Sequence, residues 1–230
     1  MVAIEHAVAV VTGANRGLGR EFARQLMERG ARVYAGARDP GSVDLEGVEP
    51  LQLDITRPEQ AAEAARVAST ASILINNAGV STLARVSDGS LDDIRREMEV
   101  NYFGTLNMVR AFAPVLAANG GGAMLNVSSV MAWLALDHSN SYGASKAAVW
   151  ALSNGLRVEL ADAGTQVSSM FMASTDTDMM SAFDIPKHRP EDIVRVALDR
   201  FAAGELEILA DDTAEGLKEA LSQDRGVHAA

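Results

Sequence analysis

The sequence predicts an α/β protein: a doubly wound parallel sheet of about seven strands with helices on both faces, in three layers. Three observations carry that expectation. Short apolar or β-branched runs alternate with longer stretches of helical period; a glycine-rich turn follows the first run at once; and proline or glycine marks several helix ends.

In chain order, the first strand is Ala7–Val11, an apolar run suited to burial in a parallel sheet. A helix over Gly17–Arg29 follows, and Gly30 stands where a C-terminal cap belongs. The second strand, Arg32–Gly36, leads into Arg38–Glu49, which holds Pro40, Gly41 and Gly47 and has no helical period. That crossover is expected to be a loop with at most one helical turn. Pro50–Leu53 is the third strand, and Pro58 opens the helix Pro58–Ser69, since a first-turn residue has no use for its N–H. Ile73–Ile75 and Ala123–Val127 are strands on either side of a long helix, Leu91–Ala118. The helix Tyr142–Ala163 ends at Gly164, strand Gln166–Phe171 follows, and Pro190 starts the helix Pro190–Ala203 before a last strand, Glu207–Leu209. With no linker, repeat or low-complexity segment, residues 1–230 are expected to form a single domain, and the tail Ser222–Ala230 to fray.

Composition narrows the function classes. The chain is 48% hydrophobic, enough for one core, and with no cysteine it can have neither disulfides nor thiolate chemistry. Its formal charge of -11 argues against nucleic acid or an anionic membrane as partner, because both select a basic face. No apolar run reaches the ~18 residues of a membrane span, and the first residues lack the basic start of a signal peptide. A soluble, cytoplasmic protein is expected. The four histidines lack metal-ligand spacing, so no metal is expected.

The stretch VTGANRGLGR, Val11–Arg20, places Gly13, Gly17 and Gly19 between a strand and a helix. Such a turn presents free N–H groups and the positive end of a helix dipole to a phosphate. The loop is not a nucleoside-triphosphate P-loop, which needs Lys and Ser or Thr, and its G-x-x-x-G-x-G spacing differs from the commonest dinucleotide fingerprint. A basic residue after the second strand accommodates the 2′-phosphate of NADP where an acidic one would bond the ribose of NAD. Arg38 stands there, and Arg16 lies in the glycine loop. Asp39 beside Arg38 leaves NAD open as the alternative.

Tyr142 and Lys146 lie four residues apart at the start of a helix, on one face. A neighbouring ammonium stabilises a phenolate, and lowering a tyrosine pKa from its usual value of about 10 by ~3 units takes about 4 kcal/mol. Such a phenol can exchange protons with an alcohol or carbonyl near neutral pH.

With these motifs the chain resembles the short-chain dehydrogenase/reductase family over essentially its whole length. The matching residues are T-G-x-x-x-G-x-G at Thr12–Gly19, Asp54 after the third strand, N-N-A-G at Asn76–Gly79, Asn101 in the long helix, N-V-S-S at Asn126–Ser129 and Y-x-x-x-K at Tyr142–Lys146. The resemblance implies a Rossmann-like fold. It implies Tyr142 as general acid in reduction and base in oxidation, and Ser129, 13 residues before it, as the hydrogen-bond donor to the substrate oxygen. Lys146 would depress the tyrosine and hold the nicotinamide ribose, and Asn101 would join a water-mediated proton relay. For NADP(H), it implies contacts from Gly13, Asn15, Arg16, Gly17, Leu18, Gly19, Arg38, Ala78 and Gly79. Asp54 would take the adenine amino group, Ile55 the ring and Asn76 the adenosine ribose. Asn77–Gly79 would also brace the sheet.

One motif departs from the family pattern. Met172-Ala173 stands where a Pro-Gly pair usually turns beneath the nicotinamide, followed by Thr177 in the place of the threonine that bonds the carboxamide. Met131, Trp133 and Leu134 on one side, and Met179, Met180 and Phe183 on the other, are candidates to wall an apolar substrate pocket; core packing is the alternative for each. The expected activity is hydride transfer between NADP(H) and a small carbonyl compound or secondary alcohol, in the reducing direction. A catalytically weak NADP-binding regulatory or scaffolding protein is the alternative. The resemblance also implies a homodimer or homotetramer paired through the helices that contain Asn101 and Tyr142.

Overall fold

The computed structural model describes residues 2–221; the fraying expected of Ser222–Ala230 lies outside the described residues. Seven parallel strands form one sheet: β1 (Val8–Thr12), β2 (Arg32–Ala37), β3 (Glu49–Gln52), β4 (Ile73–Asn76), β5 (Ala123–Val127), β6 (Gln166–Phe171) and β7 (Glu207–Leu209). Their order is β3-β2-β1-β4-β5-β6-β7. The chain starts at β1, winds out through β2 to β3, then crosses back to pair β4 with the other side of β1. The winding direction therefore reverses beside β1, and the loops that leave β1 and β4 diverge above their carboxyl ends. In such sheets that divergence opens a crevice for ligands.

Alternate strand residues feed two cores, as a pleated strand requires. Ala9 and Val11 of β1, Ile73 and Ile75 of β4 and Leu125 of β5 pack with Phe22, Leu26, Leu198 and Phe201 from α1 (Gly17–Glu28) and α6 (Pro190–Ala203). Val10, Leu74 and Met124 face the other way. They meet Ala61 and Ala64 of α2 (Pro58–Val67), Met108, Phe112 and Leu116 of α4 (Thr105–Ala118), and Leu156 of α5 (Asn140–Glu159). Burying each of these large side chains contributes about 1.5–3 kcal/mol. Among the described residues, no helix is long and apolar enough to cross a membrane.

Strand β3 lies at the sheet edge, where Pro50, lacking an N–H, costs least. Arg38–Glu49 forms a single 3-10 turn, Pro40–Ser42, capped by the Asp39 carboxylate, which accepts from Gly41 N at 3.0 Å. Two features differ from expectation. The stretch expected as one helix over Leu91–Ala118 is α3 (Leu91–Glu97), then a π-helical segment, Met98–Gly104, then α4. Gly104 packs so closely on Ile55 that a Cβ would come within 2.7 Å of its side chain, and a widened turn accommodates that contact while Asn101 stays buried. An unforeseen helix, α7 (Asp212–Ala220), follows β7. Its signal is local: Asp211 accepts from Ala214 N at 2.8 Å, an N-cap at the start of a weakly apolar stretch.

Candidate active site

The glycine turn between β1 and α1 opens at the carboxyl end of the sheet. Gly13 and Gly17 hold φ of +65° and +54°, a region that L side chains rarely adopt. Gly19 serves packing instead: a Cβ there would lie 2.0 Å from Gly13 O. Arg16, the residue before α1, is extended, and no side chain caps the helix, so its first-turn N–H groups keep their donor capacity. A cleft of about 1230 Å³ runs from this turn across the carboxyl ends of the strands.

Gly13, Asn15, Arg16, Gly17 and Leu18 line its middle. Arg38, Asp54 and Ile55, from the ends of β2 and β3, line one part, and Ala78 and Gly79 follow β4. Tyr142, Lys146 and Thr177 line it as well. A Cβ on Gly17 would sit 3.4 Å from Thr177 Cγ2, so the glycine turn and the loop after β6 face each other closely. Four expected site residues do not line the cleft: Gly19, Asn76, Asn101 and Ser129. Asn76 is buried in β4, where its Nδ2 donates to Asn126 Oδ1 at 2.8 Å. Its neighbour Asn77 lines the cleft and also braces the glycine turn, its Nδ2 donating to Thr12 O at 2.9 Å. Asn76 is the last residue of β4 and Asn77 the first beyond it, so the two asparagines part company where the strand ends.

Burial works against ionisation of Asp54, but the Thr56 hydroxyl and N–H, at 2.7 and 3.0 Å, outweigh it, aided by Arg38 and Arg57, and hold its carboxyl below the usual range. Arg16 Nη1 pairs with Asp178 Oδ2 at 3.1 Å. Asp178 follows Thr177, so this exposed pair ties the glycine turn to the loop after β6. Of the two arginines that act on Asp54, Arg38 lines the cleft.

Tyr142 and Lys146 share a face of α5, as their spacing predicts, with Lys146 Nζ 5.6 Å from the phenol ring centre. The Lys146 ammonium is 4% exposed and donates to Val127 O at 2.9 Å. Burial pushes it down to about 8. The phenol departs from expectation. Burial pushes Tyr142 up to about 12; a hydrogen bond with Ser129 opposes that, and the Glu97 carboxylate adds to it. Removal of the phenolate from water is the largest of these causes, and the neighbouring ammonium is itself costly in the same place. Ser129 Oγ also accepts from Met131 N at 3.2 Å. Behind Lys146, Asn101 bonds Val80 N and O at 2.8 and 2.9 Å and Ser145 Oγ at 2.8 Å. A Cβ on Gly79 would fall 3.1 Å from Asn101 Oδ1 and 3.4 Å from Lys146 Nζ, so this glycine keeps the two close.

Two residues near the site were not foreseen. Glu97 is fully buried in α3 and accepts from Thr82 and Ser141. Asp211, with its side chain 3% exposed, accepts from Ala173 N at 2.8 Å while it caps α7. It thereby fastens the loop in which Met172-Ala173 occurs. His188 adds backbone bonds to Ser174 and Asp176 at 2.9 Å each. Of the apolar candidates for a pocket wall, Met179 lines the cleft. Trp133 instead stacks on Phe171, with ring centres 4.2 Å apart, and packs against Ala214 and Leu217 of α7. An unforeseen helix thus supplies a partner for that aromatic face.

Comparison with known proteins gives four likenesses. The sequence profile of the family described as short chain dehydrogenase matches residues 7–187. An uncharacterized oxidoreductase of Staphylococcus aureus (strain MW2) is 30% identical over 212 residues, covering 86% of this chain and 92% of that one. A short chain dehydrogenase from Burkholderia cenocepacia J2315, solved in complex with NADP, is 41% identical with a TM-score of 0.93, covering 98% of this chain and 96% of that one. A short chain dehydrogenase/reductase from Burkholderia phymatum, solved in complex with NAD, is 23% identical with a TM-score of 0.88 and shares the fold over 100% of this chain and 99% of that one.

Proposed function

The chain belongs to the short chain dehydrogenase family, and from that premise we propose that it is an NADP(H)-dependent oxidoreductase acting between a carbonyl compound and its alcohol, in the direction that reduces an apolar ketone or aldehyde. The observation that carries the reading is the Tyr142 phenol, bonded to Ser129 and one turn from Lys146, at the same cleft as the uncapped glycine turn. When bound, the dinucleotide supplies the hydride.

The side chains of the cleft divide the remaining work. Tyr142 Oη gives its proton to the carbonyl oxygen, and a phenol that burial keeps neutral is the form required of a donor. Ser129 Oγ hydrogen-bonds the same oxygen as negative charge develops. Lys146 Nζ holds the nicotinamide ribose and, with Asn101, passes a replacement proton from water to Tyr142. Arg38 takes the 2′-phosphate, Asp54 and Ile55 the adenine, and Thr177 the carboxamide. Met172 and Met179, both on the cleft, favour an apolar substrate. The Burkholderia cenocepacia relative's complex with NADP supports the choice of cofactor. Cytoplasmic action and pairing of copies through α4 and α5 complete the proposal.

The test is a panel of ketones and aldehydes with NADPH, for the wild type and Tyr142→Phe. Turnover in the wild type and a loss of at least about a thousandfold in the variant, with NADPH binding unchanged, are expected. A silent panel despite tight NADPH binding would replace this reading with that of a binding protein.

A further inference from the structure

Glu97 is a fully buried carboxylate that no step above uses. It sits at the end of α3 and joins three parts of the fold. Its Oε1 accepts from Thr82 N at 2.6 Å and Thr82 Oγ1 at 2.9 Å, on the loop after β4 that also carries Ala78 and Gly79. Its Oε2 accepts from Ser141 Oγ at 2.5 Å, in the first turn of α5 and next in sequence to Tyr142. Ser141 Oγ also lies 2.9 Å from Ala84 O, so the same hydroxyl has a second acceptor on that loop.

A buried carboxylate without a cationic partner is costly unless several donors meet it, and any group nearby with a charge to gain feels it through a low dielectric. Thr82 and Ser141 are the donors. The charge to be gained is that of the Tyr142 phenolate. The groups that act on this phenol are Ser129 from the segment after β5 and Glu97 from α3, while Lys146 lies one turn along α5 with its Nζ 5.6 Å from the ring centre. Ser129 and Lys146 belong to the site already described. Glu97 opposes Ser129 in sign.

We propose that Glu97 is a positioning residue for Tyr142: through Ser141 it fixes the first turn of the catalytic helix against the loop after β4 and holds a carboxylate close to the residue that bears the phenol. The inference rests on the role given to Tyr142 above. Burial is the largest cause of the upward shift of Tyr142, and the Glu97 carboxylate adds to it.

Glu97→Gln is the informative substitution. Its amide oxygen can still accept from Thr82, and Ser141 can turn its proton to Ala84 O, so shape and bonding survive while the charge does not. With tyrosine labelled at the ring carbon that bears the hydroxyl, and Tyr142 assigned by its absence in Tyr142→Phe, the titration of each tyrosine is read by NMR without substrate or dinucleotide. In Glu97→Gln the Tyr142 midpoint is expected about half a pH unit or more below that of the wild type, and in Glu97→Asp it should stay within about 0.2 unit. In NADPH-dependent reduction the alkaline fall of kcat/KM should move to lower pH in the same variant, because the donor is lost sooner. A midpoint that does not move in a folded Glu97→Gln protein overturns the proposal. Should that variant not fold, Ser141→Ala decides: kcat about fivefold lower or more with KM for NADPH unchanged is expected, and an unchanged kcat overturns it. A moved midpoint in a protein with no reductase activity would instead strike at the function proposed for Tyr142 and leave the influence of Glu97 standing.

Discussion

Arg38 owes its importance to its position just past the end of β2. That position is legible in the sequence, and the fold puts the side chain on the cleft beside Asp54. Arg16 lies on the same cleft, but its pairing with Asp178 depends on a contact across 162 positions, which no local pattern encodes. Arg38→Ala is therefore expected to weaken NADPH binding by about tenfold or more, the value of one charge-assisted contact, and NADH binding by less than about twofold. Titration calorimetry with both dinucleotides checks it; equal losses would remove Arg38 from the 2′-phosphate. The Tyr142 phenol teaches the converse. Its spacing from Lys146 is visible as Y-x-x-x-K, yet the direction of its shift follows from burial and from Glu97 on another helix, neither of which the motif contains.

At the scale of elements, strands and helices that bury an apolar face announced themselves by period and by their glycines and prolines. Those that depend on a partner did not. The π-helical turn at Met98–Gly104 ends at Gly104, which packs closely on Ile55, and α7 is a short helix secured by one carboxylate and an aromatic face. Asp211 does more than cap that helix. It holds Ala173 N–H in the loop that lacks the Pro-Gly pair, so a side chain takes over part of what a rigid backbone would do. Asp211→Ala should lose an N-cap worth about 1 kcal/mol and leave a further N–H unpaired, for a total of about 2 kcal/mol or more. Urea denaturation followed by circular dichroism measures this, and a change below about 0.5 kcal/mol would mean that water replaces both bonds. The same variant should raise KM for NADPH, because Thr177 lies on the freed segment.

At the scale of the whole molecule, the reversal of winding beside β1 gathers residues from every part of the chain onto one edge of the sheet. Copies are expected to associate through α4 and α5, so light scattering during size exclusion should give a mass of two or four chains; a single-chain mass across the micromolar range would remove pairing from the proposal. The sequence by itself determined the α/β class, the glycine turn and the Tyr142–Lys146 pair, because strand alternation, helical period and tight turns are properties of neighbours along the chain. Only the tertiary structure decided that Asn77 and not Asn76 faces the cleft, that Trp133 turns to α7, and that Glu97 stands against Tyr142. Those outcomes come from burial and from contacts between distant segments, and the free energy of a charge or a ring in such a place depends on everything packed around it.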